Sequence, residues 1–336
     1  MATASDVARL AGVSQSTVSY VMSGTRSISP ATRARVEAAM RELSYHPNAG
    51  ARALAGRRTN VIGLVASLPG TNDVAALIPF VETISTFCRD RDYDVVLVTA
   101  DEGPAGLERL AGRAIVDAIV LMDIRRDDER VATARELSVP VVLIGIPSDP
   151  NGLDCVDHDV PASGTLAVQE LIAAGCTRVL LVGDDPATRT KGFGFVTAFG
   201  DSVRQASRDH AISFDEYLPH ADGWPGFSDL GDRLDPSGGR LGIVARTPQA
   251  IDITMQTLQL RGLAPGTDVA MVGGCTDDTA EGFRYPVTNV SPEPQAVSEL
   301  AMKTLFGRLA GDDSERRVQL VSPRLTRRAT TAPFIS

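Results

Sequence analysis

From Val61 onward, short apolar runs alternate with longer stretches of helical period: "VIGLVA", "DVVLVT", "VDAIVLM", "VPVVLIGI", then "RVLLVG", "RLGIVA" and "DVAMVGG". Runs of β-branched and aliphatic residues that are apolar on both faces predict buried parallel strands with helices crossing between them. They fall into two sets broken near residues 150 to 165, which predicts two α/β lobes. Ligands of such sheets bind beyond the carboxyl ends of the strands, here between the lobes. The first sixty residues have another rhythm. Thr3 and Asp6 stand at capping-box spacing, Val7, Leu10 and Ala11 give one apolar face, and Gly12 is a natural stop. Ser14 caps a second helix with Val18, Val21 and Met22 inward and Gln15, Ser16, Ser19 and Tyr20 toward solvent. A third starts at Ser29 with Pro30 in the first helical position, and Val36, Met40 and Leu43 complete a small core.

Charge is divided along the same line. The chain of 336 residues carries a formal net charge of −9. Residues 1 to 60 hold eight arginines against three acids, a local +5 that leaves −14 for the rest. A basic head on an acidic body suits a polyanion-binding module joined to a larger globular one, and the length calls for two or three domains. The four cysteines, Cys88, Cys155, Cys176 and Cys275, form no C-x-x-C pair, which argues against a disulfide framework or a zinc site and favours a reducing cytoplasm. No apolar run approaches the roughly 18 residues needed to span a bilayer, and "MATASDVARL" lacks the marks of a signal peptide. A cytoplasmic protein without membrane partners is expected. No G-x-S-x-G, H-E-x-x-H or P-loop occurs, and the histidines show no ligand spacing, so no enzyme, metal or cofactor is expected. "DHD" at 157 to 159 reads as solvated loop charge, and "GFGF" at 192 to 195 as a partial glycine pattern.

Two short helices joined across "AGVS" read as a helix-turn-helix, and with the local positive charge they point to duplex DNA. In a major groove the second helix would present Gln15, Ser16 and Tyr20 to base edges, where a glutamine pairs bidentately with adenine. Thr17, Ser19, Thr25 and Arg26 are placed for phosphates, which set register without reading sequence. Thr3 and Ser14 at the helix starts, with Asn48 and Arg52 further on, complete the expected contacts. "NAGARALAGRR", residues 48 to 58, follows Pro47, which ends the third helix. It is shorter than the roughly 12 to 15 residues at which an isolated helix is marginal, and Gly50 weakens it by a further ~1 kcal/mol. It should fold only against a partner.

"SDVARLAGVSQSTVSYVMSG" and "ISPATRARVEAAMRELSYHPNAGARALAGRRTNVIGLV" resemble the head and hinge of a LacI/GalR-type transcriptional regulator nearly position by position through Val65, and weaker agreement runs to "SPRLTRRATT" near the C-terminus. The resemblance implies a helix-turn-helix domain at 1–47, a hinge helix at 48–59 and a two-lobed, periplasmic-binding-protein-like core at 60–336. It also implies a homodimer, with a tetramer left open, on a pseudo-palindromic operator, a repressor's action and a small-molecule effector in the cleft. In that family the hinge pushes a leucine into the minor groove; the matching residue is Leu54.

The cleft departs from that pattern. Thr247 and Pro248 stand where Asn-Asp is common, Cys275 where aspartate is common, Val160 for the usual asparagine and Gly145 for a polar residue. The Arg-x-x-Gly-Phe pattern fits Lys191 to Phe195 better than Arg189 to Phe193, and a lysine is a point charge rather than a fork. Candidates for the effector are Asp73, Asp123, Asp159, Lys191, Trp224, Arg246 and Cys275. A usual sugar does not follow from this set. An atypical small molecule, a protein partner, a sensor whose head contacts another protein, or no effector at all stay open.

Overall fold

A computed structural model describes residues 2–23, 26–43, 45, 58–67 and 74–331. The chain forms two compact units, Met1–Thr59 and Asn60–Ser336. In the first, α1 (Ala4–Ala11) starts at a complete capping box: the Thr3 oxygen accepts from the Asp6 amide, and the Asp6 carboxylate accepts from the Thr3 amide at 3.0 Å. Gly12 closes the helix at φ 64°, the left-handed region in which glycine carries no Cβ penalty. Helix α2 (Gln15–Ser23) starts at Ser14, whose Oγ accepts from the Thr17 amide at 3.1 Å. Helix α3 (Pro30–Glu42) is capped by Ser29. Val7, Ala8, Ala11, Val18, Val21, Val36 and Ala39 form the core, with Met22, Met40 and Leu43 half-buried around it. The apolar face of α1 is rotated from the expected one. Ala8 is buried and Leu10 is 46% exposed, because α2 and α3 pack on the side of α1 that carries Val7, Ala8 and Ala11.

The second unit has two lobes, each a six-stranded sheet under helices on both faces. In the first, β1 (Val61–Ala66), β2 (Asp94–Thr99), β3 (Ala118–Leu121), β4 (Val141–Ile144) and β5 (Asp154–His158) are joined at the edge by β11 (Val318–Val321), in the order β11-β5-β4-β3-β1-β2, all parallel. In the second, β6 (Arg178–Val182), β7 (Ser213–Tyr217), β8 (Leu241–Ala245), β9 (Val269–Gly273) and β10 (Thr288–Ser291) run parallel, and the edge strand β12 (Arg324–Thr326) runs antiparallel to β10. Strands β3, β4, β8 and β9 are buried along their whole length, as expected of strands covered on both faces.

The chain crosses between lobes three times: into α7 (Val160–Ala173), back through α12 (Pro294–Leu309), and forward again from β11 to β12. Helix α12 is fixed on the first lobe by Arg308, which forks onto the buried Asp154 at 2.8 and 3.0 Å. The crossovers are tied to one another. The Asp159 amide donates to the Val321 carbonyl at 2.8 Å, and Arg324 reaches Glu293 and Asp277 at 3.1 and 2.7 Å.

Candidate functional site

On the first unit, Gln15, Ser16 and Ser19 are exposed along one face of α2, with Thr17 and Tyr20 half-buried beside them. The capping oxygen of Ser14 also meets the hydroxyls of Ser16 and Thr17 at 2.8 Å each, so the first turn is held by its own side chains while Gln15 stays outward. Arg26 is exposed and lies 5.7 Å from the centre of the Tyr20 ring. Thr3 is engaged with Asp6, whose carboxyl is held below the usual range by the Thr3 hydrogen bonds and then by the charge of Arg9. Thr25, Asn48, Arg52 and Leu54, together with the cleft candidate Asp73, lie outside the described residues.

Between the lobes of the second unit is a cavity of about 560 Å³ at the carboxyl ends of both sets of strands. Its walls are mainly apolar: Phe80, Met122, Ile124 and Ile146 on one side face Phe193, Phe195 and Phe199 on the other. Phe193 and Phe195 stack with ring centres 5.5 Å apart. Gly145 lies in this wall at φ 124°, where an added Cβ would come within 2.9 Å of Ile124, so no larger side chain fits. The smallness of residue 145 is therefore a packing requirement here.

Of the sequence candidates, Asp123, Asp159, Lys191, Arg246 and Cys275 come together on this cavity. Asp123 sits just after β3 at φ 55°, uncommon for a residue with a Cβ. Its carboxylate accepts from the Ser67 amide at 2.6 Å, and its carbonyl accepts from Arg130 at 2.9 Å. Burial pushes its pKa up against the opposing pull of the Ser67 hydrogen bonds and the charges of Arg130 and Lys191. Arg130, itself buried, forks onto Asp128 and so braces the turn that carries Asp123. Asp159 caps α7 by accepting from the Ala162 amide at 2.9 Å. Arg246 forks onto Asp184 and lies 5.1 Å over Phe195. The Cys275 thiol is pushed up to about 12 by burial and stays neutral. The Lys191 side chain makes no hydrogen bond or ion pair among the described residues, and its ammonium stands 5.8 Å from the centre of the Phe193 ring.

Two expectations are corrected. Trp224 does not line the cavity; it opens a short 3-10 turn (Trp224–Phe227) and is 44% exposed, so it offers no stacking surface to a cleft ligand. The "DHD" run is not a solvated loop. Asp157 and His158 end β5, half-buried and bonded to each other at 3.1 Å, and Asp159 starts a helix. Arg189 donates to the carbonyls of Asp184 and Pro219 and is absent from the cavity wall, which leaves Lys191 there instead. Sequence reasoning passed over the aromatic lining. The signal is "GFGF", whose two phenylalanines carry the contact.

The same segment joins the lobes at the cavity mouth. The Gly194 amide donates to the Ile124 carbonyl and the Arg126 amide to the Gly192 carbonyl, both at 3.3 Å, which makes a one-rung antiparallel bridge between Arg125 and Phe193. The lobes thus meet here by a backbone latch as well as at the three crossovers. No group of histidine, cysteine, aspartate or glutamate among the described residues could hold a metal ion.

A helix-turn-helix with an outward polar face, carried by a chain whose second unit is a two-lobed α/β body around a cavity, defines a ligand-responsive DNA-binding regulator. Residues 3–48 match the family model "Bacterial regulatory proteins, lacI family", and residues 168–331 match a periplasmic binding protein-like domain. The HTH-type transcriptional regulator MalR of Streptococcus pneumoniae is 33% identical over 226 residues, 64% of this chain and 68% of that one. The HTH-type transcriptional regulator CelR of Thermobifida fusca is 28% identical over 92% of both chains. The fold is similar to that of the lac repressor dimer bound to operator and an anti-inducer, with a TM-score of 0.80 at 22% identity over 98% of this chain and 99% of that one. The chain belongs to the LacI family of bacterial transcriptional regulators.

Proposed function

We propose that this regulator is a repressor that binds a pseudo-palindromic operator as a homodimer and that a small molecule in the inter-lobe cavity sets its affinity for DNA. The observation that carries the reading is the outward face of α2, where Gln15, Ser16 and Ser19 are free of the core and held in register by the Ser14 cap. Gln15 and Ser16 read base edges, with Tyr20 beside them; Thr17, Ser19 and Arg26 meet phosphates. The solved relative bound to operator as a dimer supports the same arrangement. Two-fold symmetry of the protein calls for matched half-sites.

The effector acts through the body. Asp123 and Lys191 approach the cavity from opposite lobes next to the latch, so a ligand seated between them alters the closed state directly. Rotation of the lobes is passed to the two heads, and a coupling of 1 to 3 kcal/mol, typical of allosteric proteins, is enough to change DNA affinity roughly 5- to 150-fold. Selection of bound sequences from random duplexes tests the DNA half of this reading: two inverted half-sites at fixed spacing are expected, and recovery of unpaired or unrelated sequences contradicts it.

A further inference from the structure

We infer that the effector of this protein is a ring-bearing, mainly apolar molecule ending in a single carboxylate, which lies on the Phe193–Phe195 pair and is held by Lys191. The inference rests on the reading of the inter-lobe cavity as the effector site and gives that ligand a chemical class.

Asp157, Asp159, Ser163, Arg246, Thr247 and Thr276 line the cavity, and each already holds a hydrogen bond inside the protein. Several serve as helix caps, so a ligand that took them over would uncap a helix. A sugar brings a hydroxyl on nearly every carbon. Each hydroxyl moved from water into a site without a partner costs roughly tenfold or more in affinity. Against that demand the walls offer Phe80, Phe193, Phe195 and Phe199 with aliphatic side chains between them. Such a surface favours flat or alicyclic carbon, and about 560 Å³ is ordinary for a small-molecule site and has room for more than one ring.

The polar end follows from which charges are spent. Arg246 is neutralised by Asp184, whereas Lys191 and the exposed Arg126 have no ion-pair partner among the described residues; of these two, Lys191 stands at the edge of the aromatic wall. Asp123 lines the same cavity from the opposite lobe, and its Oδ2 is already taken up by the Ser67 amide at 2.6 Å. The Lys191 ammonium at the edge of that wall complements a carboxylate. A primary amide in the same place loses the charge-assisted bond to Lys191.

Calorimetric titration of the full-length protein tests this with benzoate, cinnamate, 2-naphthoate and a tricyclic resin acid, the matching primary amides, and glucose, ribose and cellobiose. At least one acid is expected to bind roughly 10- to 100-fold more tightly than its amide, the worth of one hydrogen bond to a charged group. Lys191→Met should erase that difference and Lys191→Arg should keep most of it, while Phe195→Ala should weaken acid and amide alike. Circular dichroism melting of each variant separates these losses from unfolding. Equal binding of acid and amide, or preferential binding of a saccharide, overturns the carboxylate class and leaves the cavity as the effector site. No heat from any probe, with operator binding intact, overturns the effector reading itself.

Discussion

Asp123 concentrates three unfavourable features in one residue: a left-handed backbone, a carboxylate withdrawn from water, and a place at the mouth of a cavity. A non-glycine residue at positive φ costs of order 1–3 kcal/mol and persists only where its surroundings over-determine it. Here the Ser67 amide and the Arg130 guanidinium do so. Because the folded-state pKa is raised above the unfolded value of 3.8, ionisation works against folding, and the deficit grows as pH rises through the folded pKa. Asp123→Asn keeps the shape and tolerates the left-handed backbone, so its melting temperature at pH 7 should be higher than that of the unchanged protein. The gain should vanish near pH 3, where both side chains are neutral. A lower melting temperature at both pH values would assign Asp123 a structural role instead. Asp123 was legible in the sequence as an acid beyond a predicted strand. Trp224 was misread, because a lone aromatic carries no signal of which surface it faces. The phenylalanines of the cavity left only "GFGF" as a trace, since apolar residues on helices look like core.

Among the elements, α2 depends most on one side chain. Ser14 satisfies an otherwise unpaired amide and gathers Ser16 and Thr17 around it, so Ser14→Ala should cost about 1 kcal/mol in the stability of that helix start. Hydrogen exchange at the Thr17 amide should speed up roughly fivefold or more, and operator affinity should fall with it; unchanged exchange would deny the cap its role. Gly194 offers a test of the latch. It is the first residue of the helix Gly194–Asp209, where proline is tolerated, and Phe193 before it has φ −62° and ψ 131°, as a residue preceding proline requires. Gly194→Pro removes the amide that binds Ile124 and places ring carbon against that carbonyl. The helix should survive while the lobes open, seen as a larger radius of gyration by small-angle scattering; an unchanged radius would show that the latch does not hold them. Elements with continuous apolar runs were legible in advance. The strand "TNVS" was not, although Thr288 and Asn289 are wholly buried, because its side chains are satisfied by Thr331, Arg328 and the Cys275 carbonyl and the Thr288 amide by Thr330, none of which the local sequence shows. "DCVDH", "SFDEY" and "VQLV" mix polar and apolar positions and escaped notice for a related reason. The return of α12 and β11 to the first lobe rests on partners more than a hundred positions apart, such as Arg308 and Asp154.

For the whole molecule, the division of charge answers how an acidic chain recognises DNA. A cationic unit makes the contact, and the excess of acid elsewhere discourages indiscriminate adsorption along the duplex. Three crossovers tied by Asp159, Arg324 and Glu293 join the lobes, and the latch joins them again at the cavity mouth. The central claim is that two such heads grip one duplex together. It is tested most directly by measuring the affinity of the full-length protein for a selected two-half-site duplex, and for the same duplex with one half-site scrambled, across a range of salt. Each phosphate neutralised contributes about 0.9 to the slope of log affinity against log salt. The account predicts a steep fall with salt on the intact site, and both weaker binding and a slope reduced toward half on the scrambled one. Equal affinity for the two duplexes, or binding indifferent to salt, would contradict it.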